Sequence, residues 1–168
     1  MRHINYLKYV LRHKWFVLLA SIRIGAPIWG AIIHDMSKFR PSEWFPYART
    51  FYAPDGSKQY VEGEAFARAW NDHQKRNKHH WQYWMLTWDR GNTTYIPMPK
   101  NHLLEMVADW MGAGRAITGK WEAKQWYEKN CNTIHMHATT RLEVEKILNS
   151  QSRGHTPTVG RSSWTRWL

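Results

Sequence analysis

Apolar residues recur along most of this chain at intervals of three and four, the spacing of helices that bury one face. Tyr6, Tyr9, Val10, Phe16, Val17 and Ala20 approximate one such face and predict a long first helix. Gly25 and Pro27 interrupt the apolar run that follows, the first by loosening the backbone and the second by removing a donor. A joint is therefore expected near residues 25–27, followed by a short buried helix carrying Ile28, Ala31 and Ile32 into His34. Pro41-Ser42-Glu43 reads as the start of a helix running toward Phe51, with proline tolerated in the first turn. Residues 53–57 (APDGS) read as a turn. Another long helix is expected over about residues 61–76, with Asn77 as its stop or as a new N-cap, and helix again over residues 79–88. Residues 89–95 (DRGNTTY) read as a loop with room for a short β excursion. Two more helices are expected over about residues 101–117 and 121–129. Thr140 and Glu143 have capping-box spacing and predict a last helix from Thr140 to about Asn149.

The expected fold class is all-α. A compact single-domain helical bundle spans residues 1–149, and residues 150–168, polar, basic and Gly/Pro-bearing, form a mobile tail. The 168 residues suffice for one domain with a real core. Residues 15–33 are apolar enough to resemble a membrane span, but Arg23 sits near their centre, where a charge is costly in lipid. No membrane partner is expected, and no Ala-x-Ala cleavage pattern follows the N-terminus.

Charge sharpens the picture of partners. Lys and Arg number 24 against 13 Asp and Glu, a net charge of +11. That balance favours anionic partners: a phosphate-bearing small molecule, a nucleotide or nucleic acid. Twelve Trp add apolar area and stacking surface. Cys131, as the single cysteine, excludes an internal disulfide and fits a reducing compartment.

The candidate chemistry centres on His34-Asp35, adjacent at the end of the apolar stretch. A neutral imidazole beside a carboxylate makes a pair of metal ligands. His13 lies 21 residues upstream, an interval that suits a helix, a turn and a returning helix. His73 and His80 lie seven apart, about 10 Å along an unbroken helix. Either they flank a two-metal centre or a break at Asn77 folds them together, and His79 competes with His80, which is preferred. Asp109 sits in an apolar helix, where a carboxylate needs a partner or an ion, with Glu105 one turn earlier. Lys38 and Arg115 are candidates to hold phosphate, and Glu43 to act as acid/base or pocket wall. Residues 114–120 (GRAITGK) imitate a phosphate-binding loop, but Trp121 stands where Ser or Thr is required and no strand precedes them.

The order His13, His34-Asp35, His73, His80, Asp109 resembles that of the HD-domain superfamily of metal-dependent phosphohydrolases. His34-Asp35-Met36-Ser37-Lys38 looks like its central motif. Residues 34–51 (HDMSKFRPSEWFPYARTF), 77–84 (NKHHWQYW) and 105–119 (EMVADWMGAGRAITG) resemble more closely an uncharacterised, largely phage-borne HD-like family. The closer resemblance covers about residues 5–148. It implies an HD-like bundle in the cytoplasm of a bacterial or phage-infected cell, holding one or two divalent ions drawn from Mg, Mn, Fe, Co and Zn. The implied activity is hydrolysis of a nucleotide or other phosphoester. Two rival expectations are an HD-type di-iron oxygenase, with the same ligand order, and a basic nucleic-acid-binding protein with a structural or relict metal site.

Overall fold

The computed structural model describes residues 1–152. The expected tail falls outside them from residue 153 onward. Among the described residues, seven α-helices build the fold: α1 Arg2–Ile24, α2 Ile28–Ile33, α3 Pro41–Phe51, α4 Glu64–Arg76, α5 Lys100–Thr118, α6 Ala123–Asn130 and α7 Ala138–Ser152. The all-α expectation holds. No described helix is long and apolar enough to cross a membrane.

The first joint falls where glycine and proline placed it. Gly25 takes a left-handed conformation (φ 70, ψ 29) at the C-cap of α1, and Ala26 N–H donates to Ser21 O at 2.9 Å. Such a cap closes the last turn without a Cβ clash. α2 then doubles back, so that Lys14 Nζ on α1 reaches Ile32 O at 3.1 Å. The burial expected of α2 is not found. Ala31 is buried, whereas Ile28, Trp29, Ile32 and Ile33 are exposed, Trp29 by 76%. Six residues make under two turns, too short to turn every apolar side chain inward.

The centre of the bundle is α1 against α5. A Cβ on Gly112 would lie 2.6 Å from Val17 N, so glycine permits this close approach. One apolar cluster joins Val17 and Ala20 to α5, α6 and α7. A second joins Tyr6 and Val10 to Tyr47, Phe51 and Ala69 of α3 and α4.

Three expectations are corrected. α4 begins at Glu64 rather than Val61, because Val61 N–H donates to Thr50 O at 3.1 Å and the preceding chain runs extended beside α3. The helix expected over residues 79–88 does not form. A 3₁₀ turn Trp81–Trp84 leads into β1 Met85–Thr87, which pairs antiparallel with β2 Thr93–Tyr95 in the register Met85↔Tyr95. Gly91 (φ 84) supplies the left-handed turn between them, and β-branched Thr93 and Thr94 suit the pairing. Thr140 does not cap α7. Its hydroxyl accepts from Met98 N–H at 3.0 Å, tying α7 to the chain before α5, while His137 Nδ1 accepts from Thr139 N–H at 3.2 Å at the helix start.

Candidate metal centre

The interior of the bundle is not uniformly apolar. His13, His34, Asp35, Glu43, His73, His79 and Asp109 are all buried. His13 lies on α1 between Val10 of one apolar cluster and Val17 of the other, so the polar interior follows the seam between them.

The backbone at Asp35 creates the key presentation. α2 ends at Ile33, and Asp35 takes a left-handed conformation (φ 56, ψ 21), the only non-glycine residue with positive φ among those described. Aspartate tolerates this region better than most residues. The reversal turns two successive side chains inward, leaving His34 and Asp35 each 1% exposed. A 3₁₀ turn Met36–Phe39 follows, with Lys38 N–H donating to Asp35 O at 2.9 Å. It returns the Lys38 ammonium to 2.6 Å from Asp35 Oδ2.

Two carboxylate oxygens of Asp35 then face two groups of imidazoles. On one side Oδ1 lies 3.2 Å from His73 Nε2 and 3.4 Å from His79 Nε2. On the other Oδ2 lies 3.4 Å from both His13 Nε2 and His34 Nε2. Asp109 Oδ1, from the middle of α5, lies 3.1 Å from His13 Nε2 and 3.2 Å from His34 Nε2. Three sets of ligand atoms lie within 4.8 Å of one another and can hold a metal ion: Asp35, His73, His79 and His80; His13, His34, Asp35 and Asp109; and His34, His79 and Glu105.

The donor set fits an ion. Asp35 Oδ1, His73 Nε2, His79 Nε2 and His80 Nε2 are buried and no hydrogen bond of good geometry satisfies them among the described residues, although Asp35 Oδ1 faces two of the rings at 3.2 and 3.4 Å. Buried polar atoms without partners are rare and costly. Here four of them converge, and all are good metal donors.

The opposite ring nitrogens are held. His73 Nδ1 lies 2.9 Å from Glu43 Oε2, where its N–H donates and leaves Nε2 free. Glu43 in turn accepts from Ser37 Oγ at 2.8 Å and from Arg76 Nη1 at 2.7 Å. Asn77 Nδ2 donates to Ser37 Oγ at 2.8 Å. His34 Nδ1 and His79 Nδ1 lie 3.2 and 3.1 Å from Glu105 Oε1. Such carboxylate–imidazole pairs fix the tautomer that offers the other nitrogen to an ion.

Burial and charge oppose each other throughout. Burial favours the neutral form of Asp35, but His34, Lys38 and His73 outweigh it and hold its carboxyl well below the usual range. Asp109 is held down in the same sense, by hydrogen bonds from His13 and His34 against its burial. Glu105, also opposed by burial, is lowered to about 2 by His34 and His79. His79 responds to the same carboxylates. Burial pushes its imidazole down, yet Asp35 and Glu105 raise it to about 10. His80 is driven well below its ordinary value by burial and by the charges of His79 and His73, which keeps its ring neutral.

A cavity of about 320 Å³ reaches this centre. His13, Lys38, His80 and Asp109 line it together with Tyr9, Tyr47, Phe51, Tyr60, Phe66 and Trp70. A second, of about 160 Å³, shares Trp70, His80 and Asp109 with the first.

The structure thus brings together His13, His34, Asp35, Lys38, His73, His80 and Asp109. It adds His79, which touches Asp35 and Glu105 and stands in two of the three ligand sets. α4 stops at Arg76, and Asn77 adopts an extended C-cap, so His79 and His80 fold back toward His73 instead of continuing along a helix. Arg115 is not brought there. Its guanidinium donates to Gly119 O and lies 5.7 Å from the ring centroids of Phe16 and Trp121. Glu43, read as a pocket wall or acid/base, does not line the cavity and instead holds His73. Sequence reasoning missed Ser37, Arg76 and Asn77. The one available signal was Ser37 inside the His34–Lys38 motif.

The chain matches no curated protein and no solved structure. Its residues 2–150 match the profile described as "Family of unknown function (DUF5662)", and the chain belongs to that family.

Proposed function

We propose that this protein is a metal-dependent phosphohydrolase acting on a nucleotide or another small phosphoester. The observation that carries the reading is the convergence of four buried donors that no hydrogen bond of good geometry satisfies, Asp35 Oδ1 and the Nε2 atoms of His73, His79 and His80. The second set, His13, His34, Asp35 and Asp109, shares Asp35 with the first. Asp35 would serve both sets were each to hold an ion, in keeping with the resemblance to HD-domain hydrolases. A donor set of imidazole and carboxylate, without thiolate, favours Mn, Fe, Co or Zn over Mg. Ions held there supply Lewis-acid polarisation of a phosphoryl oxygen and of the attacking water.

The chain's own groups do the rest. Lys38 lines the larger cavity, and its ammonium is kept charged: burial lowers its pKa, but Asp35 raises it well above the ordinary value. It therefore offers a fixed positive charge to a phosphoryl group entering beside Asp35. Glu43 and Glu105 orient His73, His34 and His79. The aromatic walls exclude water from the approach and present flat surfaces to an organic leaving group.

The test begins with protein purified without chelator and its metal content by mass spectrometry. Phosphate release from a panel of nucleotides and phosphomonoesters is then followed with each metal. Activity is expected to disappear on chelation and in Asp35→Asn. Asparagine is preferred to alanine because alanine would leave the buried Lys38 ammonium without any polar neighbour at that position. Turnover that survives chelation overturns the mechanism. Iron-loaded protein that consumes oxygen and releases no phosphate would favour the oxygenase.

A further inference from the structure

We infer that the outer face of α1 and α2 is a homodimer interface, on which a second copy of the chain packs the same face across a two-fold axis. Ile4, Leu11, Trp15 and Ile22 are all exposed on α1. At 3.6 residues per turn they fall within about 40° of one another and form a continuous outer stripe. α2 runs along one border of that stripe, fixed there by the bond from Lys14 to Ile32 O. It adds Trp29 and Ile33, exposed by 76% and 64%.

Size decides that this face is covered. Together these side chains expose on the order of 1,000 Å² of apolar surface, where a monomer tolerates a few hundred and a stable interface takes about 800 Å² from each partner. Trp15 and Trp29 are the residue type that most often anchors such contacts.

Chemistry decides what covers it. Residues 28–33 (IWGAII) carry no charge and only one side-chain hydrogen-bonding group, the Trp29 indole. An unlike partner is selected by charges and hydrogen bonds that this border lacks, whereas a two-fold contact needs only a self-complementary apolar patch. Lys8 and Arg12, exposed on the other border, stay in the rim. α1 has five Lys and Arg and no acidic residue, so the two rims repel weakly. Salt screens that repulsion over about 8 Å at physiological strength. Self-association is therefore tightened by salt, the opposite of binding to an anionic surface.

Light scattering on the eluting full-length protein, at tens of micromolar, tests this directly. The expected mass is twice the 20.1 kDa of the chain, retained or increased as salt rises from about 0.05 to 0.5 M. The double variant Leu11→Glu/Trp29→Glu alters only exposed side chains. It should self-associate about 100-fold more weakly while keeping the helical circular dichroism and thermal melt of a folded monomer. A wild-type monomer at both salt strengths overturns the inference, as does a double variant that remains dimeric. Monomeric protein that co-floats with anionic phospholipid vesicles, and is released by salt, also overturns it and assigns the face to a membrane surface.

Discussion

Two of the elements that present ligands to the candidate centre, α5 and α2, are held very differently. Asp109 rides on α5, whose residues 106–114 are all buried and whose Gly112 lets α1 come into backbone contact. His34 and Asp35 hang from α2, which buries one residue of six. One half of the centre is fixed by close packing. The other half is fixed by polar bonds, namely Lys14 to the backbone of Ile32 and His34, Lys38 to Asp35, and Glu105 to His34. A packed core resists displacement from any direction, whereas a polar latch depends on each partner and on pH.

The largest effect should come from disturbing the packed half. Gly112→Ala would press a methyl against Val17 N and Cα. The expected cost is about 3 kcal/mol, read as a fall in melting temperature of about 10 °C. On the other side the volume-conserving change Ile32→Met, at a half-exposed position, should leave the melt of the monomer within about 0.5 kcal/mol of wild type. Equal losses in both variants would erase the contrast.

Next come the carboxylates that orient imidazoles. Glu43→Gln keeps the shape of the contact to His73 but weakens its charge, and Glu105→Gln does the same for His34 and His79. Each should weaken metal affinity by about 10- to 100-fold, measured by titration against a chromogenic chelator. Glu105→Gln should have the larger effect, because Glu105 touches two rings and Glu43 one.

A separate effect should appear with pH. In the metal-free protein His79 binds its proton with a pKa of about 10, against an ordinary 6.5. The folded state thus holds this proton more tightly than the unfolded chain. The resulting stabilisation is complete below pH 6.5 and is lost as pH rises toward 10. A bound ion replaces that proton, so the metal-loaded protein should show no such decline, and metal affinity should weaken as pH falls. Melting curves at several pH values, with and without metal, measure both. A metal-free melt that rises from neutral to alkaline pH would contradict the sign. The smallest effect is expected for Arg115→Gln, which should leave phosphoester turnover within about twofold of wild type, since its guanidinium closes α5 on Gly119 rather than facing the centre.

The two halves also differed in how far the sequence revealed them. The α1 face, the joint at Gly25 and the span of α5 followed from apolar spacing and from the special backbones of glycine and proline. The adjacency of His34 and Asp35, and the 21-residue return from His13, made that part of the site readable. What stayed hidden was decided by contacts distant in sequence. Residues 79–88 have a plausible helical composition, yet the pairing of Met85–Thr87 with Thr93–Tyr95 and the bond from Asn77 to Ser37 draw them into other shapes. His79 outranks His80 in its contacts only because of that refolding. Arg115 sits beside a glycine-bounded run that suggested phosphate, but Phe16 and Trp121 claim its guanidinium. The exposure of α2 was equally illegible, because an apolar sequence does not state whether its cover comes from the same chain.

The left-handed backbone at Asp35 has a consequence for how this position can vary. Glycine and asparagine accept that conformation readily but bring no negative charge. Glutamate brings the charge, yet its longer side chain gains nothing from the local bonding that makes the region accessible to aspartate, and it would overrun a site where imidazoles stand 3.2 to 3.4 Å away. Among the twenty residues aspartate alone satisfies backbone and chemistry together. In a library of all single substitutions, codon 35 should therefore lose function at every replacement, and the variants should divide: asparagine folded but inactive, glycine suited to the backbone but leaving Lys38 without its carboxylate, the branched residues impaired in folding as well.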